Sequence, residues 1–313
     1  LTDHVTGNNF FQIESGATLV GGGFSITVDN ESSSDLTFLN SGTISGVLDV
    51  IITNPNGVAA LDFNGQAGNI RHLTINHASC VATLEDDTTI TGDLTIVEGV
   101  LTTLDKDGTS NRALTVGGEI SIEDGGTLKG NASAIQAATM EIESGGTYEA
   151  TSATTTITAA SGGSTSGRAY WSHTGGTLKH NFGTFAFTNG SAQVEPGGPA
   201  DPSDAVATSA HTFWNVTCSG GFLPKTQRMV IANNLTTAGD IGYNGNNYWM
   251  EVHGTWKHTA GTTNNSDTCQ STRGYARNFV LDGTGELDLK TTSMTFGSLR
   301  NISSSPVTGV ANQ

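Results

Sequence analysis

A nine-residue pattern that occurs three times is the strongest constraint on how this chain can fold. Residues 120–128 (ISIEDGGTL) recur 20 positions later as residues 140–148 (MEIESGGTY), and residues 11–19 (FQIESGATL) form a third copy. A looser version, Trp-x-His-Thr-Gly/Ala-Gly-Thr, occurs at 171–177 and at 256–262. Repetition with a period in this range is typical of solenoids, in which each repeat packs on the next.

Strand-like triplets recur with nearly the same spacing. Leu-Thr-Ile occurs at 73–75 and 94–96 and Leu-Thr-Val at 114–116, so the starting positions 73, 94 and 114 are almost evenly spaced. Alternation with a period of two places the two outer residues of each triplet on one face of a strand. The triplets are interspersed with pairs that favour turns, namely Asn56-Gly57, Asn64-Gly65, Asp107-Gly108, Asp124-Gly125, Asn189-Gly190, Asn244-Gly245 and Asp282-Gly283.

The composition favours strands over helices. Gly, Thr, Ser and Asn make up 140 of the 313 residues, and charged residues only 13%. The frequent β-branched residues favour strands, and the charged, Ala- and Leu-rich composition of helical proteins is missing. We therefore predict an all-β fold, a single-stranded parallel β-helix (β-solenoid) of roughly 12–15 coils at about 20–26 residues each. A tandem of β-sandwiches, which also has short strands and regular turns, is the competing architecture.

The two halves of the sequence differ in regularity. The repeats are clearest before residue 150, whereas residues 195–202 contain three of the six prolines and all four tryptophans lie beyond residue 170. Proline cannot donate a hydrogen bond to a strand ladder, so the proline-rich segment predicts a loop. We predict a regular acidic solenoid over residues 1–165 and a more irregular, aromatic-richer β-solenoid with wider coils over residues 166–313.

Negative charge is concentrated near the start of the chain. Residues 1–105 contain thirteen acids and a single base, Arg71, so this segment carries −12 of the total net charge of −16. Such a surface repels phosphate groups, and we therefore expect no nucleic-acid partner and no binding to anionic membranes. No apolar run approaches the roughly 18 residues that a membrane-spanning helix needs, so we expect no membrane insertion.

The sequence contains none of the common catalytic or metal-binding signatures. It lacks a phosphate-binding loop, a His-Glu-x-x-His zinc helix and a Gly-x-Ser-x-Gly elbow. Cys80, Cys218 and Cys269 do not suggest a disulfide framework or a zinc ribbon, although a bond between two of them stays open. Residues from Asp105 begin like a calcium loop, but the twelfth position is Val116 where a bidentate Glu is needed. We predict a non-enzymatic protein without a metal ion or cofactor.

Acidic residues keep an enzymatic alternative open. Many β-helices cleave polysaccharides, a reaction that requires two carboxyl groups at a defined separation. The candidates are Asp282 with Glu286 or Asp288, together with Glu251 and Asp240. They would make the chain a polysaccharide hydrolase or lyase, whereas solvated surface carboxylates are the simpler explanation.

Four aromatic residues are the candidate glycan-binding site. Tyr243, Tyr248, Trp249 and Trp256 could form an exposed platform that stacks on sugar rings, because flat apolar faces with polar edges suit glycans. Large aromatic side chains are also common in cores and at subunit interfaces. Both interpretations are open at this point.

The stretch from Leu94 to Asn189 contains an Ile-Glu-Ser-Gly-Gly-Thr-Tyr-Glu-Ala-Thr run and, in residues 171–190, the sequence His180-Asn181-Phe182-Gly183-Thr184. Through these runs it resembles β-helical structural proteins of tailed bacteriophages, particularly marine ones. The resemblance implies a fibre, spike or decoration protein on the virion surface, with other virion proteins and host-surface glycans as partners. It implies no catalytic residue.

The main hypothesis is therefore a non-enzymatic, extracellular structural protein of a phage particle that contributes to adhesion. A tailspike-type polysaccharide hydrolase or lyase and a bacterial surface adhesin or filament subunit are the alternatives. The open end strands of a solenoid must be capped or paired, so we expect a homo-oligomer, with a trimer as one arrangement.

Overall fold

The computed structural model describes most of the chain. The described residues are 5–8, 10–29, 35–53, 57–65, 69–158, 171–188, 192–195, 212–224, 228–241, 249–263, 273–288, 293–301 and 307–308. The elements named among them are all β-strands. None of the described segments is a helix long and apolar enough to cross a membrane.

The first strands in chain order are β1 (Val5–Asn8), β2 (Phe10–Ile13), β3 (Thr18–Val20), β4 (Ser25–Asp29), β5 (Leu36–Asn40), β6 (Thr43–Ser45), β7 (Leu48–Thr53), β8 (Gly57–Asp62), β9 (Ile70–Leu84), β10 (Thr88–Ile90), β11 (Leu94–Thr102), β12 (Leu114–Val116), β13 (Glu119–Ile122), β14 (Gly126–Lys129), β15 (Ile135–Ala137), β16 (Thr139–Ile142) and β17 (Thr147–Glu149). The remaining strands are β18 (Thr154–Ile157), β19 (Trp171–His173), β20 (Thr177–Lys179), β21 (Thr184–Phe187), β22 (Ala192–Glu195), β23 (Thr212–Phe213), β24 (Asn215–Cys218), β25 (Phe222–Pro224), β26 (Arg228–Ile231), β27 (Leu235–Thr237), β28 (Trp249–His258), β29 (Thr262–Thr263), β30 (Arg273–Leu281), β31 (Glu286–Asp288), β32 (Ser293–Asn301) and β33 (Val307–Thr308).

The chain divides into two compact units. Unit 1 comprises residues 1–155 and 175–177, and unit 2 comprises residues 156–174 and 178–313. The boundary predicted between residues 165 and 166 lies outside the described residues.

Unit 1 is a parallel β-solenoid in which the sequence repeat is one coil. Leu73 pairs with Leu94 and Ile75 with Ile96, so two of the predicted triplets stack in register. Ile120 pairs with Met140, at the offset that the sequence repeat predicts. Like side chains therefore lie above one another along the solenoid, and their inward members form the core. The predicted fold class is confirmed.

The third triplet, Leu114–Val116, lies in a different ladder. Leu94 pairs with Ile120 and not with Leu114, and Leu114 itself pairs with Thr88 and Ile135. The coil after β11 is longer because it contains the turn between Leu104 and Asn111, which are joined by an isolated antiparallel bridge. The three triplets are almost evenly spaced in the sequence, but they do not all belong to one ladder of paired strands.

The repeated Glu-x-Gly pattern forms the corner of a coil. The N–H of Gly126 donates to the carbonyl oxygen of Glu123 (2.9 Å), and the N–H of Gly146 donates to that of Glu143 (3.0 Å). The central residue of the second turn, Gly145, has φ +88°, a left-handed conformation that glycine adopts without steric cost. The repeat thus encodes a strand followed by a β-turn.

Unit 2 is also built from parallel ladders. β21, β24, β27, β28, β30 and β32 pair in that order, as do β19, β22 and β25. The described strands of the chain form about nine turns, fewer than the predicted 12–15. The predicted count used about 20–26 residues for every coil, whereas the coil that brings Val194 beside Pro224 is longer than any of the sequence repeats.

The core of unit 2 is rich in aromatic side chains. Trp171 packs edge-on against Phe185 and Phe213, with ring centroids 5.2 and 5.5 Å away. Trp256 packs against Phe279 at 5.0 Å. All five side chains are buried, so large aromatic rings fill much of the interior of unit 2.

Candidate functional site

Of the four aromatic residues predicted to form a glycan platform, the structure describes the side chain of Trp256 alone, and it contradicts the prediction for that residue. Trp256 is only 1% exposed and belongs to the core. This position agrees with the alternative interpretation, in which large aromatic side chains pack in the core. It stacks between Leu235 and Phe279 of the neighbouring coils, and a side chain in that position cannot meet a sugar ring. Trp249 is placed only as the first residue of β28, while Tyr243 and Tyr248 lie outside the described residues.

Trp256 instead takes part in a buried hydrogen-bond network. Its Nε1–H donates to Oγ1 of Thr237 (3.1 Å), and Thr237 Oγ1 lies 2.9 Å from Nδ1 of His258. Nε2 of His258 lies 2.8 Å from the carbonyl oxygen of Gly261, which can only accept. Nε2 must therefore carry the proton in the neutral ring, and Nδ1 accepts from the hydroxyl of Thr237. Burial lowers the pKa of His258 and favours this neutral form.

The acids considered for polysaccharide cleavage have other contacts. Asp282 forms an ion pair with Lys257 (2.8 Å), and this partner lowers the pKa of Asp282, whereas a general acid needs a raised one. Glu251 is 8% exposed, with Oε2 3.4 Å from Nε2 of His253. Asp240 is exposed, and the side chains of Glu286 and Asp288 lie outside the description.

The calcium-like segment folds as a turn. Oδ1 of Asp105 accepts from the N–H of Thr109 (2.8 Å), and the other carboxylate oxygen lies 3.4 Å from Arg112. Lys106 pairs with Asp35 (2.7 Å). Across the described ranges, no group of three or more His, Cys, Asp or Glu side chains is close enough together to hold a metal ion.

Two of the three cysteines are buried. Cys80 and Cys218 lie in the core, and burial raises the pKa of Cys218 to about 11. This thiol stays protonated at neutral pH and is a poor nucleophile. Cys269 lies outside the described residues.

An exposed cluster of three aromatic rings stands out on unit 2. The rings of His180 and Trp214 are stacked at 5.3 Å with an interplanar angle of 27°. Phe182 meets Trp214 edge-on at 5.0 Å and His180 at 5.3 Å. Phe182 is 65% exposed, and His180 and Trp214 are each partly exposed. We call these three residues the aromatic cluster.

A tight turn presents two of the rings. The N–H of Gly183 donates to the carbonyl oxygen of His180 (3.0 Å), and the two residues between them, Asn181 and Phe182, have φ of +45° and +60°. Positive φ at both central positions is the pattern of a type I′ turn, which usually has Asn followed by Gly. Here a phenylalanine occupies the position that glycine normally takes.

The same turn fixes the His180 ring. Its Nδ1 accepts a hydrogen bond from the N–H of Phe182 (3.0 Å), so the neutral ring carries its proton on Nε2. Burial lowers the pKa of His180 and favours the neutral form. His180 therefore offers one N–H donor, Nε2–H, beside the faces of the other two rings.

The register between neighbouring strands brings Trp214 to this turn. Thr184 of β21 pairs with Asn215 of β24, and the N–H of Asn215 donates to the carbonyl oxygen of Gly183 (3.2 Å). The carbonyl oxygen of Trp214 accepts from the N–H of Asn233 (2.9 Å). Trp214 is thus fixed between two neighbouring segments of backbone.

Sequence reasoning did not single out the aromatic cluster. The available signal was the order Asn181-Phe182-Gly183, in which an apolar residue occupies a turn between two strands. Trp214 could not be assigned to that turn, because its neighbour Asn215 pairs with Thr184 across a coil much longer than the spacing of the sequence repeats.

Comparison with known proteins places the chain in no family. No protein-family profile, no curated protein and no solved structure matches it. The function must therefore be argued from the geometry described above.

Proposed function

We propose that the chain is a non-enzymatic structural protein exposed on the surface of a phage particle, as a fibre, spike or decoration protein, and that it contributes to adhesion. The observation that carries this proposal is the coil-to-coil pairing of parallel strands within each unit. In such pairing each coil forms hydrogen bonds with the coils on either side of it. We expect this continuous pairing to resist bending and local opening, as a protein on a particle surface requires.

The stacked apolar core of unit 1 supports a role as a rigid structural scaffold. Its inward positions are largely apolar and stack in register, as in Leu73 on Leu94 and Ile120 on Met140. Each fully buried side chain of this kind contributes about 1.5–3 kcal/mol to the free energy of unfolding. Adhesion would be the task of unit 2, which carries the exposed aromatic cluster.

The particle assignment is tested by mass spectrometry of purified virions, followed by immunogold electron microscopy with an antibody against this chain. We expect peptides of the chain in the virions and gold particles on their outer surface. Absence from virions, with the chain found in a bacterial envelope instead, would contradict the phage assignment and support the bacterial adhesin.

The non-enzymatic assignment needs a separate assay. The purified chain is incubated with capsular and exopolysaccharides, and new reducing ends are measured. We expect none above a heat-denatured control. Release of reducing ends that is lost in a Glu251→Gln or Asp282→Asn variant would establish the polysaccharide-cleaving alternative.

A further inference from the structure

The exposure of Phe182 is not explained by folding. A phenylalanine normally contributes to stability by removing its ring from water, yet this ring stays 65% exposed. Its backbone adopts φ +60°, a left-handed conformation that is unfavourable for a bulky residue. Strained residues that packing does not require are concentrated at functional sites.

A second turn in the protein shows what folding alone would select. Asn64 and Gly65 have φ of +53° and +61°, the same succession of two left-handed residues as Asn181 and Phe182. At that turn the second position is glycine, the usual choice. Phe182 therefore places an aromatic ring on the surface at the cost of left-handed backbone strain, which glycine would avoid.

The three rings together form a surface with a defined chemistry. Flat apolar faces lie beside two N–H groups, Nε2–H of His180 and Nε1–H of Trp214. Neither group has a hydrogen-bond partner within the described part of the chain. Apolar ring faces with adjoining donors match a pyranose, which has an apolar face of C–H groups and an equatorial rim of hydroxyl oxygens.

The charge around the aromatic cluster restricts the ligand further. The two segments that carry the rings, residues 178–188 and 212–220, contain one charged residue, Lys179, and no carboxylate or arginine. They offer no bidentate partner for an acidic sugar. An uncharged sugar is the ligand that this surface fits.

We propose that His180, Phe182 and Trp214 form a binding site for neutral hexopyranose units of a surface glycan. The proposal rests on the adhesive role proposed above and names its ligand class. In the complex, the ring of Phe182 or Trp214 stacks on the sugar, and His180 and Trp214 donate to its hydroxyl oxygens.

The test is titration calorimetry of the full chain with neutral gluco-, manno- and galacto-hexasaccharides, with oligouronates as the charged comparison. We expect at least one neutral series to bind, with an affinity reduced at least about fivefold in Phe182→Gly and in Trp214→Leu. Phe182→Gly suits the turn, so it should fold even if Trp214→Leu does not. Phe10→Ala is the matched control, because Phe10 is a 52% exposed phenylalanine in unit 1, and its affinity should equal that of the wild type.

Three outcomes of the titration would overturn the proposal. They are absence of binding to every neutral series, equal affinities of the wild type and Phe182→Gly, and binding of the oligouronates alone. Dissociation of an oligomer by Phe182→Gly, seen by sedimentation velocity, would show a contact between copies of the chain and also reject the sugar site. Because the measurement uses the isolated chain, its failure leaves the virion assignment to be decided separately by mass spectrometry.

Discussion

Units 1 and 2 are both built from parallel coils, but the tryptophans of the sequence all belong to unit 2. In unit 1, Leu73, Leu94 and Ile120 stack in successive coils as one aliphatic column. In unit 2 the equivalent interior contains Trp171 and Trp256, both fully surrounded. Aliphatic columns need no polar partners, whereas the buried indole of Trp256 brings an N–H group, which donates to Thr237. The comparison indicates that the interior of unit 2 depends on specific polar contacts around Trp256 as well as on apolar packing.

Close backbone approach in unit 1 should give the largest effect of a single substitution. A Cβ atom at Gly126 would overlap the carbonyl oxygen of Ile96 in the preceding coil. Backbone in a stacked coil cannot move away without breaking ladder bonds, so we expect Gly126→Ala to lower the free energy of unfolding by about 3 kcal/mol or more. Urea denaturation measures this loss.

Gly108→Ala is the matched control for Gly126→Ala. Gly108 has φ +71°, and a Cβ there would meet no atom within 4 Å. We expect only the cost of a left-handed alanine, about 1–2 kcal/mol. Equal losses in the two variants would contradict the idea that coil-to-coil approach requires glycine at position 126.

The buried polar network of unit 2 should give the next largest effect. Thr237→Val keeps the shape of the side chain but removes the acceptor of Trp256 and the donor to His258. Each unsatisfied buried group costs about 1–3 kcal/mol, and we expect a total loss of roughly 2–3 kcal/mol in urea denaturation. Thr217→Val on the exposed side of β24 is the control and should cost less than about 0.5 kcal/mol. Similar losses in the two variants would show that the network contributes nothing.

The fold could be predicted from the sequence because a solenoid turns local repetition into long-range pairing. When Ile120 and Met140 occupy the same place in consecutive repeats, their separation along the sequence is also the register of the ladder. The spacing of the triplets does not give the ladder of Leu114, since a turn inside the preceding coil changes the register without changing that spacing.

The candidate binding site was harder to predict, because the alternation of inward and outward side chains is interrupted where the pairing of strands is irregular. In β28 the register shifts between Val252 and Thr255, so counting residues from Trp249 does not reveal which way Trp256 faces. The aromatic cluster depends on the pairing of Thr184 with Asn215, and no repeat in the sequence predicts that pairing.

A fall in pH should change the stability of the two units differently, although by less than the substitutions above. Burial lowers the pKa of His258 from its usual 6.5, so the unfolded chain gains this proton first as the pH falls. The stability that His258 contributes is complete above pH 6.5 and is lost between 6.5 and the lower folded-state pKa. Burial raises the pKa of Asp86 and of Glu123 in unit 1, so their protonation in acid favours the folded state.

Hydrogen exchange measured by mass spectrometry tests this difference in acid response. Protection factors at pH 7.5 and pH 5.5, corrected for intrinsic exchange, should fall in peptides covering β27 and β28 and stay level in those covering β13 and β16. Loss of protection in unit 1 first, or equal loss in both units, would contradict the assignment of acid sensitivity to the His258 network.

The smallest change in the free energy of unfolding is expected at the aromatic cluster. A small change on removal of an aromatic ring indicates a side chain that serves recognition and not packing. Phe182→Gly relieves about 1–2 kcal/mol of left-handed strain. It gives up an edge contact with Trp214 of about 0.5–1.5 kcal/mol and adds chain entropy to the unfolded state worth about 0.5–1 kcal/mol. These effects nearly cancel, so the free energy of unfolding should change by less than about 1 kcal/mol, although an entire aromatic side chain is removed.

Phe185→Ala, a little further along the same segment, provides the contrast. Phe185 is buried against Trp171 and Phe213, and its truncation should cost about 3–5 kcal/mol. If Phe182→Gly cost more than about 2 kcal/mol in the same urea titration, the ring would belong to the packing of unit 2, and its strained, exposed position would need no ligand to account for it. If the two variants differ as expected, the protein keeps a phenylalanine at position 182 that its fold does not require, which is the behaviour of a residue retained for contact with another molecule.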